Sequence, residues 1–336
     1  MATLQYLPYT FAFDPNKKEV LDVRLGNTCN LACRGCCGSK CETTSTDTLP
    51  GINTISRLTR ALGTRLIMID EIGEPTEIRN RDAFKSILRF CKREGILVSC
   101  FSNMVDWDEE LFGYVKEGTL CVLYQLYSED PETMRAYHQV DKVAEIKANT
   151  ARLKLLAKVT AGATNVAASI YPTRDNIHEI PDMVRDCLKF NVYPFVGEFL
   201  RMGMGDENGD SLEVSSDELA KLHATVSEIV GYDYEVPLCP CILNGVHLVG
   251  GNRIIVDKNT GFACDGLSFE DAEAKTICFL TRATIYGDIP QKIAEYEQAR
   301  LPYIRQLRDR MPDYYFGSCS GRPKKILDEY LLRKGN

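Results

Sequence analysis

No apolar run in this chain reaches the roughly 18 residues that would cross a bilayer, and residues 1–10 lack the charged start and apolar stretch of a secretory signal. The sequence therefore predicts a cytoplasmic protein with no membrane partner. Basic residues form no stripe interleaved with aromatics, and 40 Lys and Arg against 47 Asp and Glu leave a net charge of −7. Nucleic acid is thereby disfavoured, because its phosphates call for a concentrated positive face. The four histidines, His138, His178, His223 and His247, show no paired metal-ligand spacing and are assigned no catalytic role. No internal repeat and no low-complexity segment is present.

Apolar residues and cysteine, by contrast, are plentiful. With 336 residues, 44% of them hydrophobic, the chain can bury a large core, as one large domain or a large one with a small one. Fourteen cysteines in a protein read as cytoplasmic argue for reduced thiols and metal sites, since cytosolic reductants remove disulfide bridges.

Three of those cysteines fall in the run Asn27-Thr28-Cys29-Asn30-Leu31-Ala32-Cys33-Arg34-Gly35-Cys36, just after a short apolar segment. A cuboidal four-iron cluster held by three cysteines leaves one iron without a protein ligand, open to a substrate or cofactor. A closed zinc site, which uses four ligands, and a disulfide framework, which belongs to small secreted domains, are the alternatives. From about residue 20 to 199, apolar β-branched runs alternate with amphipathic stretches, which argues for strand-helix units around a parallel sheet. Six strands are expected at residues 20–25, 65–69, 96–101, 120–126, 165–170 and 192–199. Helices are expected near 55–62, 82–93, 108–116, 143–158 and 177–190, and a further one begins after Ser215 and runs to about Val230. Residues 202–210 read as a loop, and their acidic run lacks a full calcium ligand set.

The cysteine spacing resembles that of the radical S-adenosylmethionine (radical SAM) enzymes. The resemblance implies an α/β fold, a partial (β/α)6 barrel over residues 20–231, preceded by an extension at 1–19 and followed by a small cysteine-rich extension at 232–336. It implies that Cys29, Cys33 and Cys36 ligate a [4Fe-4S] cluster whose open iron chelates S-adenosylmethionine. One electron from a donor such as flavodoxin or ferredoxin then releases a 5'-deoxyadenosyl radical that takes hydrogen from substrate. Ile72-Gly73-Glu74-Pro75-Thr76, following the apolar run 66–69, is similar to the family's Gly-Gly-Glu-Pro segment, where Gly73 would let backbone approach the cofactor and Glu74 would accept its ammonium. Ile72 stands in place of the first glycine, and Gly35 where many relatives place an aromatic near the adenine, so adenine must be held by other groups. Ser102, Asn103, Gln125, Ser128 and Ser169 stand where relatives place polar cofactor contacts. Glu198 and Arg201 stand where the sixth strand would reach the mouth of the site, either as contacts or as a salt-bridged pair.

Beyond Gly231 the pattern Cys239, Cys241, a hairpin-like turn at 257–261, Cys264, Cys278 and Cys319 resembles the start of SPASM or twitch extensions. It implies an auxiliary [4Fe-4S] cluster on Cys241, the preferred member of its pair with Cys239, together with Cys264, Cys278 and Cys319. Zinc on the same sulfurs, or buried unligated thiols, are the alternatives. Cys37 and Cys41 complete no recognisable site, while Cys91, Cys100, Cys121 and Cys187 fall in helix or strand patterns as core residues. The expected activity is radical SAM chemistry of an oxidoreductase or other transforming type. A ribosomally made peptide is slightly favoured as substrate, although the short N-terminal extension is read as leaving no room for a peptide-recognition domain. A small metabolite such as a sugar, dehydrogenated or epimerised, is the second reading, and a non-catalytic zinc protein the third.

Overall fold

The apolar segments of this chain are too short for helices and carry β-branched residues, whereas the segments between them repeat their apolar positions every three or four residues, and each kind folds accordingly. The computed structural model describes residues 2–6, 9–13, 19–26, 28–36, 51–69, 73–160, 165–197, 199, 204–232, 234, 245–249, 253–255 and 276–279. In chain order the elements are β1 (Ala2–Tyr6), β2 (Tyr9–Phe13), β3 (Val20–Val23), α1 (Ile52–Leu62), β4 (Leu66–Ile69), α2 (Ile78–Glu94), β5 (Leu97–Ser102), α3 (Glu109–Lys116), β6 (Leu120–Gln125), α4 (Pro131–His138), α5 (Val143–Val159), β7 (Val166–Ile170), α6 (Ile180–Lys189) and β8 (Tyr193–Val196). There follow α7 (Met204–Glu207), α8 (Gly209–Leu212), α9 (Ser216–Val230), β9 (Gly245–Val249), β10 (Arg253–Ile255) and β11 (Thr276–Phe279).

Strands β3 to β8 pair in sequential order, all parallel, with helices making the crossovers. Both faces of such a sheet are covered, which is why its strands read as unbroken apolar runs such as Leu66 to Ile69 and Val166 to Ile170. Helix ends follow their local chemistry: α1 stops at Gly63 and α2 at Gly95, both left-handed, and α9 starts with a capping box between Ser215 and Glu218. The barrel stays open because β3 is flanked by β4 on one edge and by β9, also parallel, on the other, leaving no edge for β8 to close against. β10 and β11 then continue the sheet antiparallel. This is an open six-stranded α/β sheet of the partial-barrel kind. No helix among the described residues is long and apolar enough to cross a membrane.

Three details depart from expectation. Residues 131–138 form α4, which the sequence reading left unassigned, and β1 and β2 pair as an antiparallel hairpin inside the N-terminal extension. Residues 204–207 and 209–212 of the expected loop wind into single helical turns, closed by Asn208 N–H to the Met204 carbonyl at 3.0 Å and Glu213 N–H to the Gly209 carbonyl at 2.8 Å. The expected hairpin-like turn at 257–261 lies outside the described residues; β10 pairs with β9 and β11. Cys91, Cys100, Cys121 and Cys187 are all buried in the core.

Candidate active site

The loop after β3 carries the three cysteines, and it is clamped on two sides. On one side the Thr28 carbonyl accepts Glu74 N–H at 2.8 Å and Asn80 Nδ2 at 3.3 Å, tying the loop to the segment after β4. On the other, Ala32 N–H bonds the His138 carbonyl at 3.1 Å and Arg34 N–H the Tyr137 carbonyl at 2.9 Å, so the loop docks on the C-terminal end of α4. Gly73 sits at φ +82°, and a Cβ there would lie 2.3 Å from the Gly26 carbonyl oxygen, so the crossing of the two loops admits glycine alone.

Where these loops meet the carboxyl ends of the strands there is an open cavity of about 830 Å³, counted with its mouth. Cys29, Cys33 and Cys36 line it, with Gly73 and Glu74 after β4, Ser102 and Asn103 at the end of β5, Gln125 ending β6, and Ser169 in β7. Tyr137 from α4, Tyr171 after β7 and Phe199 after β8 add an aromatic side. In an α/β sheet this is the end where ligands bind, because loops and helix N-termini converge there.

Glu74 is buried, 3% exposed, and both of its carboxylate oxygens accept hydrogen bonds. Its Oε1 accepts Thr76 N–H at 3.2 Å and Ser102 Oγ at 2.9 Å, and its Oε2 accepts Asn103 N–H at 2.8 Å. Burial pushes its pKa from 4.5 to about 7 against the lowering effect of those donors. One short contact shows the same tension: Thr76 Oγ1 lies 2.7 Å from both Glu74 Oε1 and the Val105 carbonyl, yet its single proton can serve only one of them. A proton on Glu74 satisfies the other. An incoming ammonium would do so by charge instead.

Ser169 offers the complementary signal, since its hydroxyl is buried, lines the cavity and has no hydrogen-bond partner among the described residues. Buried polar groups without partners are rare, and one facing a cavity marks a ligand position. Burial pushes the Cys33 thiol well above 9.0, and Cys36 and Cys29 push it further, so a cationic centre is what would draw off its proton. Among the described residues no three Cys, His, Asp or Glu side chains converge on a single-ion site. All three thiols border the one cavity, and soft thiolate donors are the ligands that iron–sulfur clusters take. The donor set thus fits a three-cysteine iron–sulfur cluster with Glu74 and Ser169 beside it.

Of the other expected residues, Asn103 donates from Nδ2 to Asn30 Oδ1 at 2.7 Å and to Cys29 Sγ at 3.5 Å, and Gln125 reaches the cavity at the register position opposite Ser169. Ser128 does not line the cavity; its hydroxyl donates to Glu179 at 2.7 Å and accepts from Asp130 N–H at 2.9 Å. Glu198, Arg201, Cys241, Cys264, Cys319, Cys37, Cys41 and Cys239 lie outside the described residues, and Cys278 is described only by its backbone pairing opposite Ile254. The sequence reading missed Thr76, Tyr137, His138, Tyr171 and Phe199. Gly35 explains part of that set: a Cβ on it would lie 2.8 Å from Tyr137 Oη and 2.9 Å from Phe199 Cε2, so rings from elsewhere fill the space beside the third cysteine.

No protein-family model and no curated protein matches the chain. Among solved structures it is similar to Streptococcus suis SuiB bound to S-adenosylmethionine, with a TM-score of 0.55 at 13% identity over 73% of this chain and 61% of that one. It is similar also to SuiB bound to its precursor peptide SuiA, with a TM-score of 0.55 at 13% identity over 83% of this chain and 65% of that one. The chain therefore spans under two thirds of the SuiB chains that it matches. It has the fold of the radical SAM enzymes, the partial barrel expected from its sequence.

Proposed function

We propose that this chain is a radical SAM enzyme that acts on a ribosomally made peptide. The observation that carries the reading is one cavity in which three thiols of a single loop face a buried glutamate and an unpartnered serine at the carboxyl ends of parallel strands. Cys29, Cys33 and Cys36 would hold a [4Fe-4S] cluster with one iron open to S-adenosylmethionine. When bound, the reduced cluster and its ligand supply a 5'-deoxyadenosyl radical that takes hydrogen from substrate.

The protein's own part is to hold that ligand. Glu74, freed of its proton, pairs with the ammonium, an interaction strengthened by its dry surroundings. Gly73 lets backbone approach without a side chain in the way. Ser169 gains the hydrogen bond it lacks, which recovers a desolvation cost of about 1–3 kcal/mol. Tyr137, Tyr171 and Phe199 offer flat apolar faces for a planar base beside Gly35, in place of a ring on that residue.

For the substrate, the support is the shared fold with SuiB, which is seen with a precursor peptide. A barrel over 20–231 and an auxiliary-cluster region over 232–336, with Cys241, Cys264, Cys278 and Cys319 as ligands, complete the reading, with reduction by a flavodoxin-like or ferredoxin-like donor in the cytoplasm. Anaerobic reconstitution with iron and sulfide, reduction, and assay for 5'-deoxyadenosine tests the core of it. Near eight irons per chain are expected, about four of them surviving the triple change of Cys29, Cys33 and Cys36 to Ala. A reconstituted, reduced chain that never cleaves S-adenosylmethionine overturns the proposal.

A further inference from the structure

The cysteine loop rests on an element that the sequence did not announce, and the last residue of that helix touches a proposed iron ligand. His138 Nδ1 lies 3.1 Å from Cys33 Sγ. We propose that His138 is a positioning and tuning residue of the cluster: it donates Nδ1–H to the Cys33 sulfur and so raises the potential at which the bound cluster takes up an electron. The inference rests on the reading that Cys33 is an iron ligand.

Geometry fixes the contact from both directions. Ala32 and Arg34, the residues on either side of Cys33, donate their N–H groups to the carbonyls of His138 and Tyr137 at 3.1 and 2.9 Å. The helix end that presents the imidazole is itself set by Gln139, left-handed at φ 56°, whose N–H closes on the Arg135 carbonyl at 2.9 Å. His138 is 2% exposed and Cys33 9%, so water neither competes for the contact nor screens it.

Chemistry fixes the direction of donation. A thiolate bound to iron carries lone pairs and no proton, so a ring nitrogen presenting its own lone pair at this distance would repel it. The arrangement is favourable with the ring proton on Nδ1. An N–H aimed at a ligating sulfur withdraws charge from it, and this stabilises the more negative, reduced cluster more than the oxidised one. Among the described residues Cys29 receives longer contacts, from Leu31 N–H at 3.4 Å and Asn103 Nδ2 at 3.5 Å, than the 3.1 Å between His138 and Cys33.

The test compares wild-type full-length protein with His138→Asn, which keeps an N–H near the Nδ1 position, and His138→Leu, which matches Asn in shape without it. Each is reconstituted anaerobically, counted for iron and titrated reductively while the cluster signal is followed by EPR. The Leu variant should reduce at a more negative potential, with the Asn variant close to wild type. Pulsed EPR of wild-type protein grown on ¹⁵N-histidine should show one weakly coupled imidazole nitrogen at the reduced cluster. Equal potentials in all three proteins, or the same shift in both variants, overturn the proposal. If the Leu variant assembles no cluster, the labelled wild-type spectrum decides, and a cluster signal with no histidine coupling overturns it. A wild-type chain that forms no cluster at all sinks the iron-ligand reading itself, a failure visible in the iron count before any potential is measured.

Discussion

Glu74 should make the chain less stable and its ligand better bound as pH rises, through the same proton. Burial holds the carboxyl near pKa 7 in the folded chain against 4.5 when unfolded. Between those values the folded state keeps a proton that the unfolded state has lost, so stability falls with rising pH and levels off above about 7. At roughly 1.4 kcal/mol per pH unit, the whole span amounts to about 3 kcal/mol. Urea denaturation of cluster-free wild type and Glu74→Ala at pH 5, 6, 7 and 8 isolates the effect. The variant loses the hydrogen bonds to Thr76, Ser102 and Asn103 at every pH, but only the wild type carries the slope. The stability of wild type relative to variant should therefore drop by about 2 kcal/mol from pH 5 to pH 7 and then level off. Affinity for S-adenosylmethionine runs the other way, rising up to about tenfold per pH unit below 7, because pairing with an ammonium requires the ionised carboxylate. A wild-type-minus-variant difference that is flat from pH 5 to 7 would refute the buried-proton reasoning, because it would mean a carboxylate already ionised in the folded chain.

Three substitutions test other parts of the same cavity. Ser169→Ala removes a hydroxyl that bonds nothing in this structure, so the melting temperature should hold or rise slightly while S-adenosylmethionine affinity, by calorimetry, drops about 3- to 10-fold; unchanged affinity would remove Ser169 from the site. Gly35→Phe drives a side chain into Tyr137 and Phe199, with an expected loss of about 1–3 kcal/mol in denaturation and a reduced iron content, both partly restored by adding Tyr137→Ala; no rescue would mean the crowding lies elsewhere. Gly73→Ala, at φ +82° and against the Gly26 carbonyl, should cost about 2 kcal/mol or more and abolish ligand binding as the two loops part; retention of normal affinity would show that the crossing is not required.

Much of this architecture was legible because the barrel strands are buried on both faces and so carry a continuous apolar signal, from Val20 in β3 to Val196 in β8. Helices with a wide apolar stripe, such as α1 with Ile55, Leu58 and Leu62 inward, were equally plain. What failed to show was α4. It has eight residues, and its helical signal lies in capping: Asp130 accepts Thr133 N–H at 2.8 Å and Pro131 stands at the first turn. Asp-Pro reads as readily as a turn, and two turns of helix give the periodicity too little length to assert itself. Within the site, Cys29, Cys33, Cys36 and Glu74 were readable because their spacing carries chemistry. Tyr137, His138, Tyr171 and Phe199 were not, because they come from a helix and from the segments after two separate strands, and only the fold brings them together.

The residues that make this cavity useful are those that an optimised core would not keep. Glu74 is a carboxyl in a dry place, Ser169 a hydroxyl without a bond, and Gly73 a left-handed crossing of two loops. Burying a carboxyl or an unbonded hydroxyl costs free energy, and a glycine adds no side chain to the packing. These residues persist because the six parallel strands beneath them are tied by backbone ladders and helices that do not depend on the site. The same division explains the clamps at Thr28, Ala32 and Arg34: a loop that must present three sulfurs in fixed places cannot draw on its own short length for order, so it borrows backbone partners from the segment after β4 and from the end of α4. Loosening either clamp should then disturb the cysteines before it disturbs the fold.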